Sequence, residues 1–229
     1  PSEKINEIKG PSEKINEIEL DKYLIKNKGK NLFYRGRALS YFFGELGLDK
    51  INIGKNMKRI CKENNISEDI EWEEKYRIYG ADWFNTLRSS KATLATESGS
   101  NFFTEDDNIY NIIRKKEKNP NYTYEMAKKE FNIRKIINMG QISPKMFEAI
   151  QNKTALIMYR GSSKDSSYSN ILFPDKHYIL LEKDYSNIDD VLNKLKDDNY
   201  LQNMVNYSYD DIIKKGNYTY KNYVKYIDT

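Results

Sequence analysis

The chain is predicted to adopt an α/β fold, a parallel sheet flanked by helices. Three observations predict it. Short apolar runs of strand length alternate with amphipathic segments of helical period. Two strand candidates empty into polar, glycine-containing loops. From Ile142 to Asp198 the order is helix, buried strand, loop, strand, helix. Parallel strands need crossover helices, and ligands collect at the strands' carboxyl ends, so this order also suggests a binding site.

The elements follow in sequence. PSEKINEI stands at Pro1 to Ile8 and again, unchanged, at Pro11 to Ile18. A tandem copy this short is no solenoid; residues 1–22 read as a duplicated lead-in, helical or cloning-derived, ahead of one domain over 23–229. Leu32-Phe33-Tyr34 reads as a buried strand ending in Arg35-Gly36-Arg37, where a glycine between arginines lets backbone and charge approach an anion. Ile53, Met57, Ile60 and Cys61 form one apolar helix face, closed by Asn64-Asn65. Asp69 to Trp72 is a second strand, and Gly80, Trp83, Phe84 and Leu87 continue at helical spacing.

Ala92 to Thr96 is a third strand, of small and β-branched residues, leading into Glu97-Ser98-Gly99-Ser100. Residues 101–140, charged and aromatic, break the rhythm and read as an insertion over the strand ends, with a helix at Tyr124 to Ile133. Pro144 starts a helix through Ile150, preceded by Ser143; Pro at the first helical position leaves amide donors free for a phosphate. Ala155 to Met158 and Tyr178 to Leu181 are the last strands. Ser186 is the expected N-cap of a helix whose stripe is Ile188, Val191, Leu192 and Leu195. Two helices over 199–229 close the chain; their stripes, Leu201, Met204, Val205 and Ile212, then Tyr220, Tyr223, Val224 and Ile227, are expected to be packing surfaces.

Composition narrows the function classes. The 229 residues are 38% hydrophobic and 13% aromatic, enough for one sizeable core, and the mean hydropathy is −0.84. A net charge of +4, from 38 basic and 34 acidic residues without a long basic run, is too weak a footprint for nucleic acid. Much of the Lys and Asn usage matches A/T-rich codons, and Asn-x-Ser/Thr matches such as Asn121-Tyr122-Thr123 reflect the abundance of Asn. One cysteine, Cys61, allows no intrachain disulfide and no metal-ligand spacing. No apolar run approaches the roughly 18 residues of a membrane span, and a cytoplasmic location is expected.

Glu97-Ser98-Gly99-Ser100, Phe147-Glu148-Ala149-Ile150 with the Thr154 to Ile157 strand, and the Asp175 to Asp198 segment together resemble the C-terminal half of GT-B glycosyltransferases. The resemblance covers roughly Leu32 to the end. It implies a Rossmann-like half domain that holds a nucleotide-sugar donor, facing an N-terminal domain or partner chain that is not in this sequence. By resemblance, Glu148 bonds the donor's ribose hydroxyls, and Glu97 with the amides of Ser98, Gly99 and Ser100 lies near sugar or phosphate. Gly36-Arg37 is similar to the family's glycine-arginine at the end of the first strand, whose arginine and a following lysine neutralise the pyrophosphate. Here the next lysine is Lys50, so the second cation is Lys50, Arg35 or neither. Arg37, Arg35, Lys145 and the Ser143-Pro144 helix start supply the positive charge that a metal-free departure of a diphosphate requires.

The implied activity is transfer of a sugar to a glycan or lipid-linked acceptor in cell-surface polysaccharide synthesis, with peripheral contact at the inner membrane face. No cofactor is expected beyond the nucleotide sugar, and no metal, because Asp189-Asp190 and Asp197-Asp198 are adjacent pairs on helices, suited to caps and solvated faces. His177, the one histidine, sits at the amino end of its strand, where packing or capping is the expected role and a site role the lesser one. Two rival classes stand beside the enzyme: an inactive nucleotide-sugar-binding module or partner subunit, and an RNA-binding or structural protein using Tyr and Lys.

Overall fold

The computed structural model describes residues 24–228 except 107, 134–136, 138 and 162–165, so the duplicated lead-in lies outside the described residues. Five strands, β1 (Lys30–Arg35), β2 (Glu68–Glu71), β3 (Ser90–Ala95), β4 (Ala155–Tyr159) and β5 (Ile179–Leu181), form one sheet in the order β2-β1-β3-β4-β5. Every pairing is parallel, with Phe33 opposite both Asp69 and Thr93, and Leu94 opposite Ile157. The predicted parallel α/β fold is therefore the observed one. The helices are α1 (Glu45–Glu63), α2 (Gly80–Arg88), α3 (Asn108–Lys116), α4 (Tyr124–Glu130), α5 (Pro144–Gln151), α6 (Ile188–Lys196), α7 (Asp198–Ser208) and α8 (Tyr220–Ile227).

Helices cover both faces of the sheet, which is why β4 is buried at every position instead of alternating. Leu32, Tyr34, Ile157 and Leu181 pack against α1, α6 and α7 on one face. Phe33, Leu156 and Met158 pack against Leu87 of α2 and Met146, Ala149 and Ile150 of α5 on the other. Neighbouring strand residues thus serve opposite layers, as the period of two requires. Cys61 is buried in the first layer, and its burial pushes the thiol up to about 12.

Three sequence expectations need correction. Asn187, not Ser186, occupies the N-cap of α6. Its side chain makes no cap, because its Oδ1 accepts from Glu182 N at 3.0 Å and its Nδ2 donates to Leu180 O at 2.8 Å, fastening the end of β5. Between β3 and α5 there is a second helix, α3, besides α4, and a small core of Phe102, Tyr124 and Ile133 against Tyr41 and Phe42. The stripe of α8 is not packed: none of its residues is buried, and Tyr220 is 88% exposed. Just ahead of α8, Tyr218 meets the Phe147 ring at 5.9 Å. Among the described residues no helix is long and apolar enough to cross a membrane.

Candidate functional site

β1 and β3 are neighbours, yet the chain leaves β1 toward β2 on one side and later returns as β3 on the other. Loops diverge at such a switch point and leave a crevice outside the strands' carboxyl ends. A cleft of about 780 Å³ opens there. Tyr34, Leu94 and Ala95 supply strand-end side chains, and the rim is built by Arg35-Gly36-Arg37 after β1, Arg77 to Gly80 before α2, Ser98 to Ser100 after β3 and Ser143 to Lys145 at the start of α5. Lys50 of α1, Trp83 of α2 and Glu148 of α5 reach into it from the three helices. Sequence-predicted Arg35, Gly36, Arg37, Lys50, Ser98, Gly99, Ser100, Ser143, Lys145 and Glu148 are all brought together here.

Gly36 permits the close packing at the base of the cleft. A Cβ at this position would lie 2.8 Å from Tyr34 Cε1 and 2.9 Å from the carbonyl oxygen of Lys50. Any larger residue would push β1's exit away from α1. Gly99 has φ +81, a backbone conformation that favours glycine, and its missing side chain leaves room for the Gln141 amide.

Positive charge gathers on both sides of the switch point. Lys50 Nζ donates to the Glu97 carbonyl at the end of β3, and Lys145 Nζ donates to the Arg35 carbonyl at the end of β1, each at 3.0 Å. Desolvation by the surrounding protein lowers both ammoniums below the usual lysine range, Lys50 from a half-buried position and Lys145 from the exposed rim of the cleft. For Lys50 the charge of Lys145 adds to the effect while Asp49 and Glu97 oppose it; for Lys145 the charge of Arg77 adds while Glu148 opposes it. Arg37 is exposed at the rim, with no side-chain hydrogen bond or ion pair to any described residue. Arg77 lies over the Tyr79 ring at 5.0 Å and pairs with Glu74. The helix start at Ser143 carries no side-chain cap and has Pro144 in its first turn, so the positive end of α5 faces the same space.

Among the described residues lining the cleft, Glu148 is the one acidic side chain. Its Oε2 accepts from Trp83 Nε1 at 2.8 Å. Trp83 in turn lies against the Phe33 ring at 5.4 Å and beneath the Lys145 ammonium, 5.0 Å from the ring centroid.

Three predicted residues have other engagements. Glu97 is buried and does not line the cleft; its Oε1 accepts from Gln141 N at 3.2 Å. The Arg35 guanidinium is turned to the sheet edge, donating to Asp69 Oδ1 at 2.7 Å, to the Asp69 carbonyl at 2.9 Å and to the Tyr76 carbonyl at 2.9 Å, so this residue offers the cleft its backbone more than its charge. His177 lies outside the cleft: its Nδ1 accepts from Phe173 N, its Nε2 meets Asp211 Oδ2 at 3.0 Å, and burial holds the imidazole below its usual range. No group of three or more His, Cys, Asp or Glu side chains converges among the described residues.

Sequence reasoning missed Trp83, Arg77 and Tyr79 as cleft residues. The helical spacing places Trp83 on an apolar helix face, and its position near the start of α2, three residues past Gly80, is the available signal. Arg77 and Tyr79 lie in the connection between β2 and α2, at carboxyl ends where ligands gather.

No family model matches the chain, and no curated protein matches it. Among solved structures, the crystal structure of TarM aligns with 88% of this chain at 11% identity and a TM-score of 0.44. The chain spans 35% of the TarM chain's length. At that score the likeness concerns the rough course of the backbone and assigns neither family nor activity.

Proposed function

We propose that the cleft binds the diphosphate of a nucleotide-sugar donor, and that the chain is the donor-binding half of a GT-B glycosyltransferase acting on a glycan or lipid-linked acceptor in cell-surface polysaccharide synthesis. The observation that carries this reading is the meeting of Arg37, Lys50, Arg77 and Lys145 at the switch-point cleft, with Glu148 the single carboxylate among the described lining residues. Four cationic side chains lining one cleft suit a ligand that carries more than one negative charge. A diphosphate supplies them, and a nucleoside supplies hydroxyls for Glu148. When the bond between the anomeric carbon and the phosphate oxygen breaks, its electron pair goes to the diphosphate. Fixed cations and a helix amino end then stabilise the developing charge without reorganising. The acceptor surface belongs to a facing domain or partner chain, at the cytoplasmic face of a membrane where the acceptor is lipid-linked.

A second reading, a nucleotide-sugar-binding module without turnover, is favoured by the engagement of Arg35 with Asp69 and of Glu97 with Gln141, which withdraws two side chains assigned to the chemistry. One experiment separates the two. The protein is heated with UDP-, GDP- and CMP-sugars while donor hydrolysis and transfer are followed in the same samples. Stabilisation with donor consumption supports the transferase; stabilisation alone supports the module; no response to any donor sinks both.

A further inference from the structure

We infer that Trp83 is a positioning residue for Glu148, holding one carboxylate oxygen so that the other faces the ribose hydroxyls of a bound nucleotide. The inference rests on the nucleotide reading of the cleft. A tryptophan ring has one donor, its N–H, and no acceptor. Here that donor goes to Glu148 Oε2 at 2.8 Å, across two helices 65 positions apart in sequence. Glu148 Oε1 has no hydrogen-bond partner among the described residues, although Glu148 lines the cleft.

The ring itself is fixed from both sides. Phe33, fully buried in β1, meets it at 5.4 Å with the planes at 55°, and the Lys145 ammonium sits 5.0 Å from its centroid. Phe33 also carries the Arg35 guanidinium at 5.0 Å, and Arg35 is locked to Asp69. The indole is therefore held by β1, whose end forms the cleft, and it transmits that position to a carboxylate on a different helix. A half-buried glutamate on a helix has several rotamers to lose on binding a ligand. The Trp83 bond removes that choice beforehand, which strengthens recognition at the remaining oxygen. A carboxylate oxygen left open in this way accepts from O–H donors, and the 2′ and 3′ hydroxyls of a ribose are two such donors side by side.

The test compares ribose discrimination with phosphate binding. Dissociation constants are measured by calorimetry for UDP, GDP and CDP, for the 2′-deoxy form of whichever binds best, and for inorganic pyrophosphate. They are measured on the wild-type chain, on Trp83→Phe, and on protein carrying β-(3-benzothienyl)alanine at position 83, which keeps the ring outline and replaces the N–H by sulfur. The wild type is expected to prefer the ribonucleotide. Both variants are expected to lose about tenfold of that preference, equivalent to about 1.4 kcal/mol, while binding pyrophosphate as the wild type does. Trp83→His, which keeps a ring N–H, is expected to retain part of the preference. A variant that folds and keeps the full ribose preference overturns the inference, as does an equal loss of pyrophosphate and nucleotide affinity, which is what a merely structural tryptophan would give. Should Trp83→Phe fail to fold, the benzothienyl protein decides alone. A wild type that binds none of these ligands overturns the nucleotide reading itself, a result distinct from nucleotide binding with unchanged discrimination.

Discussion

The backbone N–H of Gln141 donates to Glu97 Oε1 at 3.2 Å, while the Gln141 carbonyl accepts from Ser98 N at 3.1 Å. The two bonds join the chain on either side of residues 101–140, so it leaves the end of β3 and returns to α5 at one point beside the cleft. They also set the direction of the Ser98 to Ser100 backbone, which lines that cleft. Removing a buried acceptor leaves the Gln141 amide without its partner, at a cost of about 1–3 kcal/mol. Glu97→Ala is expected to lower the unfolding free energy by that amount in denaturant titrations and to weaken diphosphate binding through the loosened loop. Glu97→Gln keeps an acceptor and is expected to preserve binding and most of the stability. Transfer activity abolished in a fully stable Glu97→Gln protein would instead give Glu97 a part in the chemistry.

Gly36 has no room for a side chain. A methyl group there would contact Tyr34 Cε1 at 2.8 Å and the Lys50 carbonyl at 2.9 Å, and the second neighbour is backbone that cannot swing away. Overpacking of this kind costs about 1–3 kcal/mol. Gly36→Ala is expected to lower Tm and, because Lys50 belongs to the displaced helix, to weaken anion binding by more than the loss of stability alone would produce. Unchanged Tm and unchanged pyrophosphate affinity would show that β1 and α1 separate freely here.

Most of the sheet was legible because strand burial follows from composition alone. Ala155 to Met158 and Ala92 to Thr96 are short runs of apolar, small and β-branched residues set between segments of helical period, as buried parallel strands are, and Gly36 and Gly99 mark the loops that follow strands. The cleft's position followed from the same pattern, since strand ends collect ligands whatever the chemistry. What sequence could not show was direction. Arg35 and Arg37 are two residues apart, yet one is turned to the sheet edge by Asp69 and the other is left at the rim, a choice set by a carboxylate on a different strand. Glu97 and Glu148 differ in the same way. The Gln141 amide claims the first, whereas the second accepts from an indole on a helix face that sequence reads as apolar.

Lysines held below their usual range make anion binding sensitive to pH earlier than ordinary lysines would. The charged forms of Lys50 and Lys145 attract the ligand, and desolvation, with a neighbouring positive charge in each case, favours their neutral forms. Affinity for pyrophosphate is therefore expected to fall as pH rises, beginning below the usual lysine range and at constant ionic strength. Lys145→Arg, whose guanidinium stays charged throughout, is expected to flatten that decline, as a calorimetric pH series would show. A decline of the same shape in Lys145→Arg would remove Lys145 from the anion site.

Lys28 gives the opposite sign in stability. It is buried with 6% of its surface exposed, and among the described residues its ammonium reaches only neutral oxygens, Thr154 Oγ1 at 3.2 Å and the Asn152 carbonyl at 3.4 Å. Burial lowers it to about 7 from an ordinary 10.5. Between those two values the unfolded chain holds a proton that the folded chain has released, so stability rises with pH across this window, by up to about 1.4 kcal/mol per pH unit. Below the folded value both states are protonated and the dependence from this group ends. Lys28→Met removes the charge while filling a similar volume, and Thr154 Oγ1 keeps its bond to the Leu87 carbonyl at 2.6 Å. The variant is expected to be more stable than the wild type at pH 7, with the difference narrowing toward pH 10 in urea titrations. Parallel stability curves for the two proteins would mean that Lys28 keeps its proton in the folded chain.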